Sequence, residues 1–286
     1  MKIAVASGKG GTGKTTVSVL LYEYLDNYSY VDMDVEEPNG HIFVKPAIEK
    51  VEDFNKLIPN INEDVCTFCG KCEKNCPYNA ISIIESSKKT LFFEDLCQSC
   101  GVCSYVCPVD KALIEKNKKI GVINYGKGFK NSEEIDFIEG ILNIGEPSGV
   151  PIINKINKKL DSEKNYIVDA PPGTTCPVVA TIEKVDYVIL VTEPTPFGIN
   201  DLDLTLEVVR ELKKPHGLII NKNTEDNNLA DKYAKKKNLR ILGKIPYDKD
   251  FAVSYSRGDS LLDSSQRIQS SVKKIGINLN KYLKEI

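Results

Sequence analysis

Eight of the nine cysteines in this chain of 286 residues fall in two copies of one motif. The first copy reads Cys66-x2-Cys69-x2-Cys72-x3-Cys76-Pro77, and the second reads Cys97-x2-Cys100-x2-Cys103-x3-Cys107-Pro108. Structural disulfides are rare inside cells, and cysteine thiolates are soft ligands for metals. The repeated spacing therefore predicts metal binding, and it requires the segment that carries it to fold around two compact sites.

The spacing resembles that of bacterial ferredoxins with two [4Fe–4S] clusters, in which the fourth cysteine of each run ligates the other cluster. The resemblance implies one cluster on Cys66, Cys69, Cys72 and Cys107, and another on Cys97, Cys100, Cys103 and Cys76. The alternatives are two four-cysteine zinc sites or buried thiols without a metal. Zinc ribbons normally use two C-x2-C pairs separated by a longer gap, so we expect clusters.

A second motif lies near the N-terminus, where Gly8-Lys9-Gly10-Gly11-Thr12-Gly13-Lys14-Thr15 fits the pattern G-x4-G-K-[ST]. It follows an apolar run, Ile3–Ser7, and precedes an amphipathic stretch, Lys14–Leu25, as a strand and a helix would flank a loop. Backbone N–H groups of such a loop bind phosphates, and the helix dipole favours the same charge. We expect Lys14 to contact the β- and γ-phosphates of ATP and the Thr15 hydroxyl to ligate Mg²⁺. The other residues expected at the nucleotide are Gly8, Gly10, Gly11, Thr12, Gly13 and Thr16.

The additional lysine, Lys9, makes the loop resemble the deviant Walker A motif of the MinD/ParA/Mrp class, which is related in fold to nitrogenase reductase. Four further segments resemble motifs of that class: Val31-Asp32-Met33-Asp34, Ile167-Val168-Asp169-Ala170-Pro171-Pro172-Gly173, Ile219-Ile220-Asn221-Lys222 and Gly243-Lys244-Ile245-Pro246-Tyr247-Asp248. The resemblance covers the chain apart from the cysteine-rich segment.

That resemblance implies a role for each matching residue. Lys9 would cross the interface of an ATP-dependent homodimer to the partner's nucleotide, and Asp34 would orient the attacking water. Asp169 would hold Mg²⁺ through a water molecule. Asn221 would contact adenine, and Pro246 would lie in the loop that closes over the base. ATP, ADP and Mg²⁺ are thus the expected ligands of this part of the chain.

The order of apolar runs predicts an α/β fold with a doubly wound parallel sheet. Short Val- and Ile-rich runs alternate with helical stretches at both ends of the chain, as in a sheet covered on both faces. The cysteine-rich segment interrupts this alternation, and its two halves repeat each other. We therefore expect an inserted α+β ferredoxin-like domain at residues 60–116, between two parts of the P-loop domain at 1–59 and 117–286.

The composition excludes several classes of function. The formal net charge of −2 gives no indication of nucleic-acid binding. The chain starts directly with a buried-strand pattern, so we expect no signal peptide and a cytoplasmic protein.

Apolar residues at helical spacing near the C-terminus resemble the membrane anchor of MinD relatives, but they include no Trp or Phe. We expect this helix to pack on the core of the protein and not on a membrane.

The ninth cysteine, Cys176, lies seven residues after Asp169. Nitrogenase reductase has a cluster ligand at this offset, but the present chain lacks a second cysteine to accompany it. A small buried residue near the nucleotide site is the alternative.

Together these patterns predict an ATP-binding and ATP-hydrolysing protein that couples nucleotide state to electron transfer through two [4Fe–4S] clusters. The electrons would pass to an unknown redox partner or metallocofactor protein. Two alternatives stay open: an iron–sulfur carrier or maturation factor, and a redox-sensing switch in which cluster state sets partner binding.

Overall fold

The computed structural model describes residues 1–130, 133–224 and 226–285. The chain divides into two compact units: the first comprises Met1–Glu52, Ile123–Ile141 and Gly149–Ile286, and the second comprises Asp53–Val122 and Leu142–Ser148. The strands are β1 (Lys2–Ala6), β2 (Tyr28–Asp32), β3 (Ala47–Ile61), β4 (Ile81–Ile84), β5 (Lys89–Phe92), β6 (Leu113–Lys130), β7 (Glu133–Leu142), β8 (Asn165–Asp169), β9 (Tyr187–Thr192), β10 (His216–Asn223) and β11 (Ile241–Pro246). The α-helices are α1 (Lys14–Tyr24), α2 (Gly40–Val44), α3 (Lys71–Lys74), α4 (Val102–Val106), α5 (Val150–Lys159), α6 (Cys176–Ile182), α7 (Pro196–Glu211), α8 (Leu229–Lys237), α9 (Lys249–Arg257) and α10 (Gln266–Leu283).

A sheet with the strand order β11-β10-β9-β1-β8-β2-β7-β6-β3 forms the framework. Every neighbouring pair from β11 to β7 is parallel, which confirms the predicted α/β parallel sheet. Residues on both faces of β1 and β9 are fully buried, as expected for a sheet covered by helices on both sides. The parallel strands end at one edge, and there the loops after β1, β2, β8 and β10 meet.

The last helix packs on the core of the first unit. Ile268, Val272, Ile275 and Leu279 of α10 are buried in one cluster with side chains of α1 and of the sheet. The predicted packing of the C-terminal helix on its own domain is confirmed. None of the helices in the described residues combines the length and apolar character needed to cross a bilayer.

Three neighbouring strands at one side of the sheet, β7, β6 and the edge strand β3, were not expected from the sequence. The boundaries between the two units fall inside β3 and β6 and near the end of β7. The start of β3 is exposed and rich in charged residues, so it lacks the apolar run by which buried strands are identified.

The second unit has little regular structure of its own. Strands β4 and β5 form an antiparallel pair, and two short helices, α3 and α4, each carry the third cysteine of one motif, Cys72 or Cys103. The backbone repeats in the two halves. Left-handed residues occur in matching pairs: Phe68 with Ser99, Gly70 with Gly101, and Asn79 with Lys111.

Candidate functional site

The glycine-rich loop occupies the space between β1 and α1. Gly11 and Gly13 have φ values of 80° and 89°, in the left-handed region that favours glycine. A Cβ atom on Gly8 would lie 2.1 Å from the carbonyl oxygen of Asp201, so a side chain is excluded there as well. Helix α1 begins at Lys14 without a side-chain cap. Its first backbone N–H groups are therefore available to an anion.

Beside this loop lies a cavity of about 440 Å³, which falls within the size range of small-ligand sites. Many residues predicted for the nucleotide line it: Gly10, Gly11, Gly13, Lys14, Thr15, Thr16, Asp34, Asn221 and Pro246. Tyr247 and Asp248, in the segment expected to close over the base, also line the cavity. Further lining residues, which the sequence analysis did not assign to the site, come from α9: Phe251, Ala252 and Tyr255.

Asp169 is fully buried at the end of β8, beneath the phosphate loop. Ser18 Oγ donates to its Oδ1 atom and the Tyr30 hydroxyl donates to its Oδ2 atom, each at 3.2 Å. Burial raises the pKa of Asp169, and the positive charge of Lys14 and the hydroxyl of Thr15 oppose this increase. The carboxylate is thus held next to the two residues that were predicted to contact phosphate and Mg²⁺.

The two aspartates at the end of β2 differ in role. Asp32 is fully buried, and its carboxylate accepts backbone N–H groups of Asp34, Asn39 and Gly40 at 3.0, 3.2 and 2.9 Å. It therefore fixes the turn between β2 and α2. Asp34 lines the cavity, and burial raises its pKa to about 7 against the attraction of Lys14. Of the two acids, Asp34 is the one available to a ligand.

Asn221 is 4% exposed, and its Nδ2 atom donates to the carbonyl oxygen of Thr12 at 2.9 Å. The same nitrogen would lie 2.1 Å from a Cβ atom on Gly13, which explains the need for glycine at that position. The next residue, Lys222, donates to the Gly11 carbonyl at 3.0 Å and pairs with Glu193 at 2.6 Å. The end of β10 thus supports the phosphate loop, a role that the sequence analysis did not assign to Lys222 or Glu193.

Lys9 lies outside the group of cavity-lining residues. Its carbonyl accepts hydrogen bonds from the hydroxyls of Ser7 and Thr12, at 2.7 and 3.4 Å, which fix the backbone at this point. Within the described part of the chain, the Lys9 ammonium group has no hydrogen-bond or ion-pair partner.

In the second unit, the structure brings the cysteines together in two groups of four. We call the cavity lined by Cys66, Cys69, Cys72 and Cys107 the first cysteine cavity. The second cysteine cavity is lined by Cys97, Cys100, Cys103 and Cys76. Each cavity takes three cysteines from one motif and the fourth from the other, which is the crossed arrangement that the ferredoxin resemblance implies.

Backbone N–H groups point at sulfur in both cavities. Phe68 N donates to Cys66 Sγ at 3.4 Å, and Ala80 N donates to Cys76 Sγ at 3.3 Å. Among the residues that the structure describes, no three His, Cys, Asp or Glu side chains are placed to hold a single metal ion. In a [4Fe–4S] cluster each thiolate binds a different iron atom, so the four sulfurs need not converge on one point. The donor set and its arrangement fit a cluster better than a zinc ion.

Cys176 is exposed at the first position of α6, and it is not among the residues that line either cysteine cavity. The alternative of a small buried residue at this position is therefore wrong. Nothing in the structure assigns Cys176 a ligand.

Comparisons with known proteins identify the chain as similar to nucleotide-binding proteins. Residues 3–262 match the model of the CobQ/CobB/MinD/ParA nucleotide binding domain. An uncharacterized protein of Methanocaldococcus jannaschii is 34% identical over 279 residues, covering 92% of this chain and 91% of that protein. The cytosolic Fe-S cluster assembly factor NUBP2 homolog of Dictyostelium discoideum is 26% identical over 281 residues, covering 90% of this chain and 84% of that protein. The septum site-determining protein MinD of Pyrococcus horikoshii, solved with Mg-ADP, shares the fold with a TM-score of 0.59 and 17% identity, covering 99% of this chain and 96% of that one.

Proposed function

The chain belongs to the CobQ/CobB/MinD/ParA nucleotide-binding family, and we propose that it is an ATP-hydrolysing iron–sulfur protein that couples nucleotide state to electron transfer. One observation supports the proposal above all. The phosphate-binding loop and two crossed cysteine quartets occur in the same chain, each lining a cavity of its own.

The nucleotide would bind in the cavity beside the phosphate loop. Backbone N–H groups of the loop and Lys14 would neutralise the phosphates, and Asn221 and Pro246 would lie near the base. Thr15 and Asp169 would hold Mg²⁺, which supplies charge neutralisation at the β- and γ-phosphates when bound. Asp34, which lines the cavity near Lys14, would orient the attacking water. Slow hydrolysis that a partner stimulates is consistent with a site completed by Lys9 of a second copy.

The two cysteine quartets would each hold a [4Fe–4S] cluster, which supplies one-electron transfer when bound. The chain provides the ligands and N–H···S hydrogen bonds, among them those to Cys66 and Cys76, and it leaves one cysteine of each quartet, Cys69 or Cys100, exposed to water. These features tune cluster potentials in iron–sulfur proteins generally. Two neighbouring clusters in one small unit would pass an electron from a donor towards a redox partner or metallocofactor protein.

Anaerobically purified protein is expected to contain about eight irons and eight sulfides per chain, because two complete quartets are present. Iron and sulfide analysis, together with EPR of the dithionite-reduced protein, measures this directly. Stoichiometric zinc, or iron for one cluster only, would contradict the proposal.

A second candidate function is cluster assembly or delivery. It is favoured by the similarity to the Fe-S cluster assembly factor NUBP2 homolog. A delivery protein must release its cluster, and the exposure of Cys69 and Cys100 is compatible with release. Complete four-cysteine ligation in each cavity favours permanent binding. Retention of both clusters during incubation with an iron chelator and an apo-ferredoxin supports electron transfer, and their transfer to the apo-ferredoxin supports delivery.

A redox-sensing switch would likewise retain its clusters, but its redox state would change partner binding without net electron delivery.

A further inference from the structure

A lysine is buried against one of the two cysteine sites. The side chain of Lys56 in β3 is only 9% exposed, and its Nζ atom donates to the backbone carbonyl of Cys97 at 3.3 Å. Cys97 is itself buried and lines the second cysteine cavity. The positive charge of Lys56 therefore lies within hydrogen-bond distance of the backbone of a proposed cluster ligand.

This lysine belongs to a chain of alternating charges. Its Nζ atom pairs with Glu146 at 2.8 Å, and Glu146 is 7% exposed. Glu146 also accepts from Lys118 at 3.0 Å, and Lys118 pairs with Glu94 at 3.1 Å. Of these four charges, the structure joins only Lys56 to a cysteine of the cavity by a hydrogen bond. The pair Lys56–Glu146 is buried, whereas Lys118 and Glu94 are partly exposed, so water screens the outer pair more strongly.

The first cysteine cavity has no equivalent group in the described part of the chain. The one lysine among its lining residues is Lys71, which is exposed at the start of α3. The charged residue that lines the second cavity, Glu115, is also exposed. The linings of the two cavities thus differ in charge, but Lys71 and Glu115 are exposed and therefore screened by water. The Lys56–Glu146 pair is the buried charge difference between the two sites.

We propose that the Lys56–Glu146 pair makes the two clusters inequivalent, so that the cluster of the second cysteine cavity accepts an electron first. The inference rests on the proposed function, since it requires clusters in both cavities. A cluster gains one negative charge when a low-potential one-electron donor reduces it. A nearby positive charge stabilises the reduced form and raises the reduction potential, and charge and hydrogen bonding are the general determinants of that potential. At equilibrium the first electron would then reside on the cluster of the second cysteine cavity.

The test compares, in the full-length protein with its clusters bound, variants that remove either the positive or the negative charge of the pair. Lys56→Gln removes the positive charge and is expected to shift one of the two potentials to a more negative value. Glu146→Gln removes the compensating negative charge and is expected to shift the same potential to a more positive value. Lys56→Arg retains the charge and is expected to stay close to the unchanged protein. Lys116→Gln, which removes an exposed lysine of the same unit without an ion-pair partner among the described residues, is the matched control.

The readout is an anaerobic redox titration followed by EPR, after iron analysis of each variant. Opposite shifts of one potential by Lys56→Gln and Glu146→Gln, with the other potential constant, support the inference. A purely structural role would not give shifts of opposite sign. Two intact clusters whose potentials do not move, or move together, overturn the inference and leave the proposed function standing. If the unchanged protein binds no clusters, both fail. If Lys56→Gln loses iron, Glu146→Gln and Lys56→Arg still decide the sign.

Discussion

Replacing Cys76 with serine is expected to remove the cluster of the second cysteine cavity, although Cys76 belongs to the first motif in sequence. Cys76 lines the cavity of Cys97, Cys100 and Cys103, whereas Cys72 lines the other. A serine hydroxyl is a harder and far more basic ligand than a thiolate, so each single variant is expected to lose about four of eight irons. Single variants alone do not tell crossed from uncrossed ligation.

Double variants make that distinction. Cys76→Ser with Cys97→Ser alters a single cavity and is expected to retain about four irons per chain. Cys76→Ser with Cys72→Ser alters both cavities and is expected to lose nearly all iron. Uncrossed ligation would give the reverse result. Iron analysis of the unchanged protein, of Cys76→Ser and of the two double variants is sufficient to decide. Circular dichroism checks that each protein is folded.

Lys9→Ala is expected to preserve nucleotide binding but to abolish the ATP-dependent dimer and to reduce hydrolysis by about 10³-fold, as removal of an arginine finger does. The physical reason is that the Lys9 ammonium group has no partner within the described chain and lies outside the cavity lining. An unpaired ammonium group is what the proposed contact with the γ-phosphate of a second copy requires. Light scattering with and without ATP, combined with phosphate release, measures both effects.

Two control variants separate the roles around this site. Lys14→Ala is expected to lose nucleotide binding itself, because Lys14 lines the cavity. Asp34→Ala is expected to bind ATP and to accumulate as the dimer, because water orientation is lost while binding remains. Normal hydrolysis by Lys9→Ala would show that the lysine does not act across an interface.

Local patterns in the sequence were sufficient for the centre of the sheet and the phosphate loop. The predicted strand Ile3–Ser7 and helix Lys14–Leu25 correspond to β1 and α1 to within one residue at each end. Fully buried parallel strands appear in a sequence as continuous apolar runs. The phosphate loop can be identified because it needs glycines where its backbone approaches a ligand closely. Strands β3 and β6 were missed because the first half of each is exposed and rich in charged residues. Strand β7 is buried at its centre, but Asp136 and Glu139 interrupt its apolar residues.

Long-range contacts within the site could not be predicted from local sequence patterns. Tyr30 donates to Asp169 across 139 residues, and Lys222 donates to Gly11 across 211. The aromatic residues of α9 that line the nucleotide cavity belong to a helix with no buried residue, so its periodicity did not mark it. The two groups of four cysteines could be predicted because the resemblance to ferredoxins implies the crossed arrangement. The spacing of the cysteines alone does not.

Coupling between the nucleotide site and the cysteine-rich unit would require a connection from Asp34 to the second unit. Strand β2, which leads to Asp34, pairs with β7, and the register places Asp32 opposite Glu139. Glu139 is buried and accepts from Asn124 at 3.0 Å, and its other oxygen lies 2.6 Å from His41 Nδ1, just after the Asp32 turn. From the end of β7, at Leu142, the chain passes into the second unit. Strand β7, which pairs with β2, is therefore covalently continuous with the cysteine-rich unit, and we propose this continuity as the route by which a change at Asp34 reaches that unit.

The most direct test is the dissociation constant of ATP for the oxidised and for the dithionite-reduced protein, measured anaerobically by calorimetry. Linkage requires that any effect of reduction on ATP affinity equals the effect of ATP on the cluster potential. We predict a difference of about tenfold in affinity, which corresponds to about 59 mV in a one-electron potential. Equal dissociation constants in the two states, with potentials that do not change on ATP addition, would contradict coupling within this protein.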